Sequence, residues 1–166
     1  MVGSTVRDVL AETYDTCFYD PKYENTKIID VINSDIVFIS VPTPTDNQLC
    51  DLSIMNDIMD KLNELKYSGI MCIKSTVIPE TTFKYITKYN NDKICFCPEF
   101  LRERCAHDDF KYNNKICIIG TTNDMVYNIL KNIHSGVCNE FRKVHPTEAE
   151  LTKYFQNVYN TNKIIL

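Results

Sequence analysis

The chain has 166 residues, enough for one domain with a sizeable core but short for an α/β enzyme that carries a separate substrate domain. With 18 basic and 22 acidic residues its formal net charge is −4, its pI is about 5.4 and no block of like charge occurs, which argues against nucleic acid or an anionic membrane as partner. Arg7, Asp8 and Glu12 interrupt the N-terminus and the apolar runs are strand-sized, so neither a signal peptide nor a membrane span is expected, and the eight cysteines are expected to stay reduced in a cytoplasmic protein.

Val6, Val9, Leu10 and Thr13 follow a helical period, so the chain is expected to begin in a helix that feeds a strand at Cys17-Phe18-Tyr19. Further strands are expected over Ile36 to Val41, Ile70 to Lys74, Ile94 to Cys97 and Ile116 to Ile119, with a weaker sixth from Phe141 to Val144. Several are apolar at successive positions, as strands covered on both faces are. Between them, Ile54, Met55, Ile58, Met59, Leu62 and Leu65 predict a helix behind Asp51 or Ser53 as N-cap, closed by Gly69. Shorter helices are expected over Thr81 to Tyr89 and Asp124 to His134, and a last one from Pro146 onward. Alternating strands and helices predict a doubly wound α/β fold with a parallel sheet, lacking the central strand that would come first.

Candidate site residues sit where strands end. Asp20 closes the first expected strand, where an acidic side chain can accept hydrogen bonds from a ribose diol; "DPK" also reads as an ordinary turn, and one glycine, Gly3, does not make a phosphate loop. "VPTPTDN", from Val41, has two prolines that stiffen a loop and orient Thr43 and Thr45 at the carboxyl end of a strand; a rigid connector is the alternative. "IKSTVIPETT" repeats strand, hydroxyl pair Ser75-Thr76 and proline, so the two loops could share a crevice or simply cap helices.

"ICFCPEFLRERCAHDDF" is the most chemically loaded stretch. Cys95, Cys97, Cys105 and His107 could be metal ligands, but C-x-C followed by C-x-H fits poorly with the paired turns of structural zinc sites, and strand cysteines are more often buried filler. If Pro98 starts a helix, Glu99 and Glu103 fall one turn apart and could hold a water or act as a base; an acidic surface with Arg102 and Arg104 as partners is the alternative. In "AELTKYFQNVYNTNKI", Leu151, Phe155 and Val158 form an apolar stripe, and Lys153 and Asn157 lie four apart on another face, either as oxyanion donors or as surface.

"VPTPTDNQLCDLS", "IKSTVIP", "CPEFLRERCAHDD" and "EAELTKYFQNVYNTNKI" resemble, in sequence and spacing, the first domain of the UDP-glucose/GDP-mannose dehydrogenase family, and most of all its UDP-glucose 6-dehydrogenases. The resemblance covers nearly the whole chain. It implies a Rossmann-like NAD-binding domain over residues 1–145 and the start of a central connecting, dimerising helix over 146–166. The implied reaction is NAD-dependent oxidation of a nucleotide sugar, UDP-glucose by preference, twice over from alcohol to acid, through a thiohemiacetal and a thioester on a cysteine. Asp20 would bind the adenosine ribose; Gly3, Val41, Thr43, Pro44, Thr45 and Thr76 would line the NAD site, with Glu103 against the nicotinamide. Thr76 and Glu99 would position the hydrolytic water or serve as base, and Phe100 and Leu101 would meet the sugar nucleotide through their backbone. Lys153 and Asn157 would stabilise the oxyanion, and no metal is implied. The sequence departs from this pattern where the glycine loop is reduced to Val2-Gly3 and where no nucleophilic cysteine motif follows, so a chain truncated at both ends, without unaided turnover and completed by a homo-oligomer or a partner chain, is expected. A non-catalytic subunit that binds a nucleotide or a partner chain, and a small metal-binding module, remain alternatives.

Overall fold

The computed structural model describes residues 1–46 and 49–165, with the side chains of 46, 103 and 161–165 left undescribed. The chain opens in helix α1 (Val2–Leu10), whose buried Thr5, Val6, Val9 and Leu10 follow the expected period. The stretch Cys17-Phe18-Tyr19, expected as a strand, joins no ladder among the described residues; Cys17 and Phe18 are exposed and Tyr19 is half-buried, with Phe18 resting edge-on against Tyr23. A strand is stable only through its ladder partner, and among the described residues none pairs with this one.

A five-stranded sheet follows, in the order β1 (Ile36–Ile39), β4 (Ile70–Ile73), β5 (Ile94–Phe96), β6 (Ile116–Gly120) and β7 (Glu140–Val144). A two-stranded hairpin of β2 (Thr45–Asp46) and β3 (Leu49–Cys50) stands beside it. β1, β4 and β5 are parallel, but β6 pairs antiparallel to β5 through Phe96 and Gly120, and β7 runs parallel to β6. Thus the sheet is mostly rather than wholly parallel. The β5–β6 connection holds a 3-10 turn at Glu103–Cys105 and the six-residue helix α4 (Ala106–Lys111).

Helices cover both faces of the sheet. Alternation along the strands sends Ile39, Met71, Ile73, Ile94 and Phe96 to one side, against Met55, Met59 and Leu62 of α2 (Ser53–Glu64), Tyr85 of α3 (Thr81–Tyr89) and Ala149 of α6 (Pro146–Ile165). Cys72, Cys95, Cys97, Cys117 and Ile119 face the other side, against Val126 and Leu130 of α5 (Asp124–His134). The α2 N-cap is Leu52, with Asp51 accepting the Ser53 N–H at 2.8 Å from one residue further back. Gly69 does not close that helix, which ends at Glu64 and turns through Lys66 at φ 55°. Its place is set by close approach: a Cβ there would lie 2.5 Å from the Asp35 carbonyl oxygen.

α6 is tied down by its first turns. The buried Glu150 carboxylate accepts the Glu80 N–H at 2.6 Å, the Thr82 N–H at 2.7 Å and the Thr82 hydroxyl at 2.6 Å, so it caps α3 from another helix. Further along, Leu151, Phe155 and Val158, expected to pack, are exposed. No helix among the described residues is long and apolar enough to cross a membrane.

Candidate functional site

The carboxyl ends of β1 and β4 carry the two hydroxyl-rich turns, and hydrogen bonds join them. Val41 donates its N–H to Ser75 Oγ at 2.8 Å, and the Ser75 hydroxyl donates to the Val41 carbonyl at 2.8 Å. The Thr43 hydroxyl donates to the Thr76 carbonyl at 2.6 Å. The parallel register of β1 and β4 places their ends side by side, which is why sequence-distant hydroxyls meet. Pro44 accepts the Asp51 N–H at 2.8 Å, and Thr45 begins the hairpin opposite Cys50. Val41, Thr43, Pro44, Thr45, Ser75 and Thr76 therefore form one braced rim.

Next to the rim, Gly3 lies in the first turn of α1, where a Cβ would sit 3.2 Å from Ser40 Cβ. Ser40 Oγ is buried without a hydrogen-bond partner, alone in this among the described side-chain polar atoms. A buried hydroxyl without a partner, beside the free N–H groups of a helix start, is a place that suits an oxygen-rich ligand. Asp20, half-buried, uses Oδ1 to accept the Lys22 N–H at 3.0 Å, so part of its carboxylate is spent on the "DPK" turn.

The expected helix from Pro98 does not form. Residues 98–102 run without regular structure, so Glu99 and Glu103 do not share a helix face; the Glu103 side chain lies outside the described ones. Side chains take up the backbone groups that a helix would have satisfied. Lys74 donates to the Cys97 carbonyl at 3.3 Å, Lys153 donates to the Glu99 carbonyl, and the Arg102 N–H donates to Asp109 at 2.9 Å. Arg102 also reaches Asp109 through its guanidinium at 2.7 and 3.0 Å, pinning the loop to α4.

Glu99 is 3% exposed, and its carboxylate is bonded to the Lys74 ammonium. Burial pushes the Glu99 carboxyl up, with Lys74 opposing. Burial alone would lower Lys74, but the charges of Cys97 and Glu99 raise it, so it remains an ammonium. Hydrogen bonds with the Cys117 and Cys72 thiols pull Cys97 well down against the burial penalty. Lys153, on α6, is half-buried 5.3 Å from the Phe100 ring centre, and burial lowers it below an ordinary lysine. Asn157 follows one turn later and is exposed. Leu101 packs partly on Phe110 and α1.

Of the expected residues, then, Val41, Thr43 and Thr76 meet at the rim, and Glu99, Phe100 and Lys153 meet at the loop after β5. The metal ligands suggested by the loaded stretch do not assemble: Cys95 and Cys97 are buried, whereas Cys105 and His107 are exposed. Sequence reasoning passed over Lys74, whose signal was a charge at the end of the apolar run "IMCIK", and Ser40, Glu150 and His134, which carried none.

Over residues 4–137 the sequence matches the UDP-glucose/GDP-mannose dehydrogenase family, NAD binding domain. It is 31% identical over 152 residues to a UDP-glucose 6-dehydrogenase of Rickettsia felis, covering 86% of this chain and 34% of that protein. It is 30% identical over 177 residues to a UDP-glucose 6-dehydrogenase of Haloferax volcanii, covering 95% and 41%. The fold is similar to that of a UDP-glucose dehydrogenase from Pyrobaculum islandicum, with a TM-score of 0.66 and 28% identity over 78% of this chain and 32% of that one. It is also similar to a GDP-mannose dehydrogenase from Pseudomonas aeruginosa, with a TM-score of 0.73 and 24% identity over 81% and 34%. The chain spans 34% and 41% of the lengths of these two curated relatives.

Proposed function

Because the chain belongs to the UDP-glucose/GDP-mannose dehydrogenase family and carries its NAD-binding domain, we propose that it takes part in NAD-dependent oxidation of a nucleotide sugar of the UDP-glucose class, from alcohol to acid in two steps. Residues 1–145 would act as the cofactor domain and the helix from Pro146 as the connection to whatever completes the substrate site. A cytoplasmic location and a homo-oligomer or partner chain fit this reading. The observation that carries it is the braced rim of Val41, Thr43, Ser75 and Thr76 beside the unpaired Ser40 hydroxyl and the start of α1.

NAD supplies the hydride acceptor when bound. Asp20 would accept hydrogen bonds from the adenosine ribose through the oxygen not used by its turn, and Gly3 would allow close backbone approach at the start of α1. Val41, Thr43, Pro44, Thr45 and Thr76 would line the site, with Glu103 facing the nicotinamide and the reacting end of the sugar. The backbone of Phe100 and Leu101 would hold the sugar nucleotide. Lys153, already bound to the Glu99 carbonyl, would stabilise negative charge on the reacting oxygen together with Asn157. Thr76 and Glu99 would hold the water or take up its proton.

Calorimetric titration tests the reading. The chain should bind NAD saturably, and Asp20→Ala should weaken binding by about 10-fold or more, the scale of a lost hydrogen bond to a charged group. Lys153→Ala should leave NAD affinity unchanged and weaken UDP-glucose binding. Absence of saturable NAD binding, or indifference to Asp20→Ala, would overturn the cofactor assignment.

A further inference from the structure

On the α5 face of the sheet, below the loop that carries Glu99, three side chains from three elements converge. Cys97 follows β5, Cys117 lies in β6 and His134 ends α5; all are buried, and their ligand atoms lie within 4.8 Å of one another. No other such group of three occurs among the described residues. We propose that Cys97, Cys117 and His134 form a binding site for a borderline-soft dication of the zinc class.

Three features support it. The two sulfur atoms are 3.7 Å apart, the edge of a tetrahedron whose metal–sulfur bonds are about 2.3 Å. His134 Nδ1 lies 2.8 Å from the Leu130 carbonyl of its own helix, so Nδ1 carries the proton and Nε2 keeps the lone pair. A metal-bound imidazole is commonly oriented in this way, by a carbonyl that accepts from the other nitrogen.

The third feature is a mismatch of donors and acceptors. Lys74 has three N–H groups but four acceptors: the Glu99 carboxylate, the Cys97 carbonyl at 3.3 Å, Cys97 Sγ at 3.5 Å and His134 Nε2 at 3.5 Å. His134 Nε2 therefore shares the Lys74 donors with three other acceptors. Charge is balanced too. Binding forms two metal–thiolate bonds, any thiol proton still on either cysteine leaving to solvent, so the two thiolates offset the dication while Lys74 and Glu99 remain a neutral pair. With the metal bound the buried site is therefore neutral overall, as a low-dielectric interior favours. None of the three ligands has a part in the proposed hydride chemistry, so this site stands or falls separately.

Cobalt(II) is the probe. The reduced chain, first dialysed against a chelator, should bind one Co2+ with thiolate-to-cobalt charge-transfer and tetrahedral d–d absorption, and Zn2+ should abolish both bands. Cys97→Ser, Cys117→Ser and His134→Asn should each weaken binding by at least about 10-fold, whereas Cys105→Ser and His107→Asn should not. Should a buried variant fail to fold, X-ray absorption on the zinc-loaded wild-type chain decides, with two sulfurs and a nitrogen expected in the coordination shell. A spectrum without thiolate bands, or fewer than two sulfurs on zinc, overturns the proposal.

Discussion

Single residues decide how the loop after β5 is held. Arg102 is largely exposed, yet it makes three hydrogen bonds to Asp109, which is 8% exposed. The Arg102 side chain, followed by its N–H, holds the Asp109 carboxyl at about 2, below its ordinary 3.8. A folded value below the unfolded one means stability that is complete above about 3.8 and lost as the pH falls towards 2. The stability difference between wild type and Asp109→Asn, from urea midpoints across a pH series, should therefore be largest near neutrality and shrink within that window. A difference that does not vary with pH would show that the pair contributes through packing alone. The same loop shows why Glu99 could be singled out from sequence while its surroundings could not. Its partner Lys74 stands 25 positions away and meets it only because β4 and β5 are neighbours.

Between elements, the contact that matters most for the candidate site is that of α6 with the end of β6. A Cβ on Gly120 would lie 2.7 Å from Ala149 Cβ and 2.9 Å from Pro146 Cα, so the strand end and the first turn of α6 touch through a missing side chain. Gly120→Ala must push the helix outward. It should cost about 1–3 kcal/mol in denaturant unfolding, the range for overpacking a filled core. Because α6 carries Lys153 to the Glu99 carbonyl, the same variant should weaken UDP-glucose binding more than NAD binding. Equal loss for both ligands would separate α6 from the substrate side of the site. Glu150 reinforces the coupling by capping α3, whose N-terminus follows the Thr76 turn.

For the whole molecule, the unsettled surface is the outer stretch of α6. Leu151, Phe155, Val158 and Tyr159 are 39%, 72%, 55% and 65% exposed, an apolar concentration that a monomer rarely leaves to water. Sedimentation velocity should show concentration-dependent self-association, and Phe155→Glu with Val158→Glu should shift the chain to monomer. A wild-type chain that stays monomeric at every concentration would assign the face to a different partner chain.

What could be read from the sequence was local. The bounds of α3 and α5 and the Pro146 start of α6 matched, because a 3.6-residue period and a cap are properties of neighbouring residues. The strand cores at Ile36, Ile70, Ile94 and Ile116 were equally plain, since buried strands are continuous apolar runs. The family motifs marked Thr43, Thr76, Glu99 and Lys153. Only the tertiary structure decided what those signals could not contain. Cys17–Tyr19 is no strand without a ladder partner, Pro98 begins no helix where distant side chains satisfy the backbone, and β6 runs against β5. It alone set Lys74 between Glu99, Cys97 and His134. The reason is physical: propensity and period act over a few residues, whereas ladder pairing, buried charge and ligand clusters are settled by groups far apart in the chain.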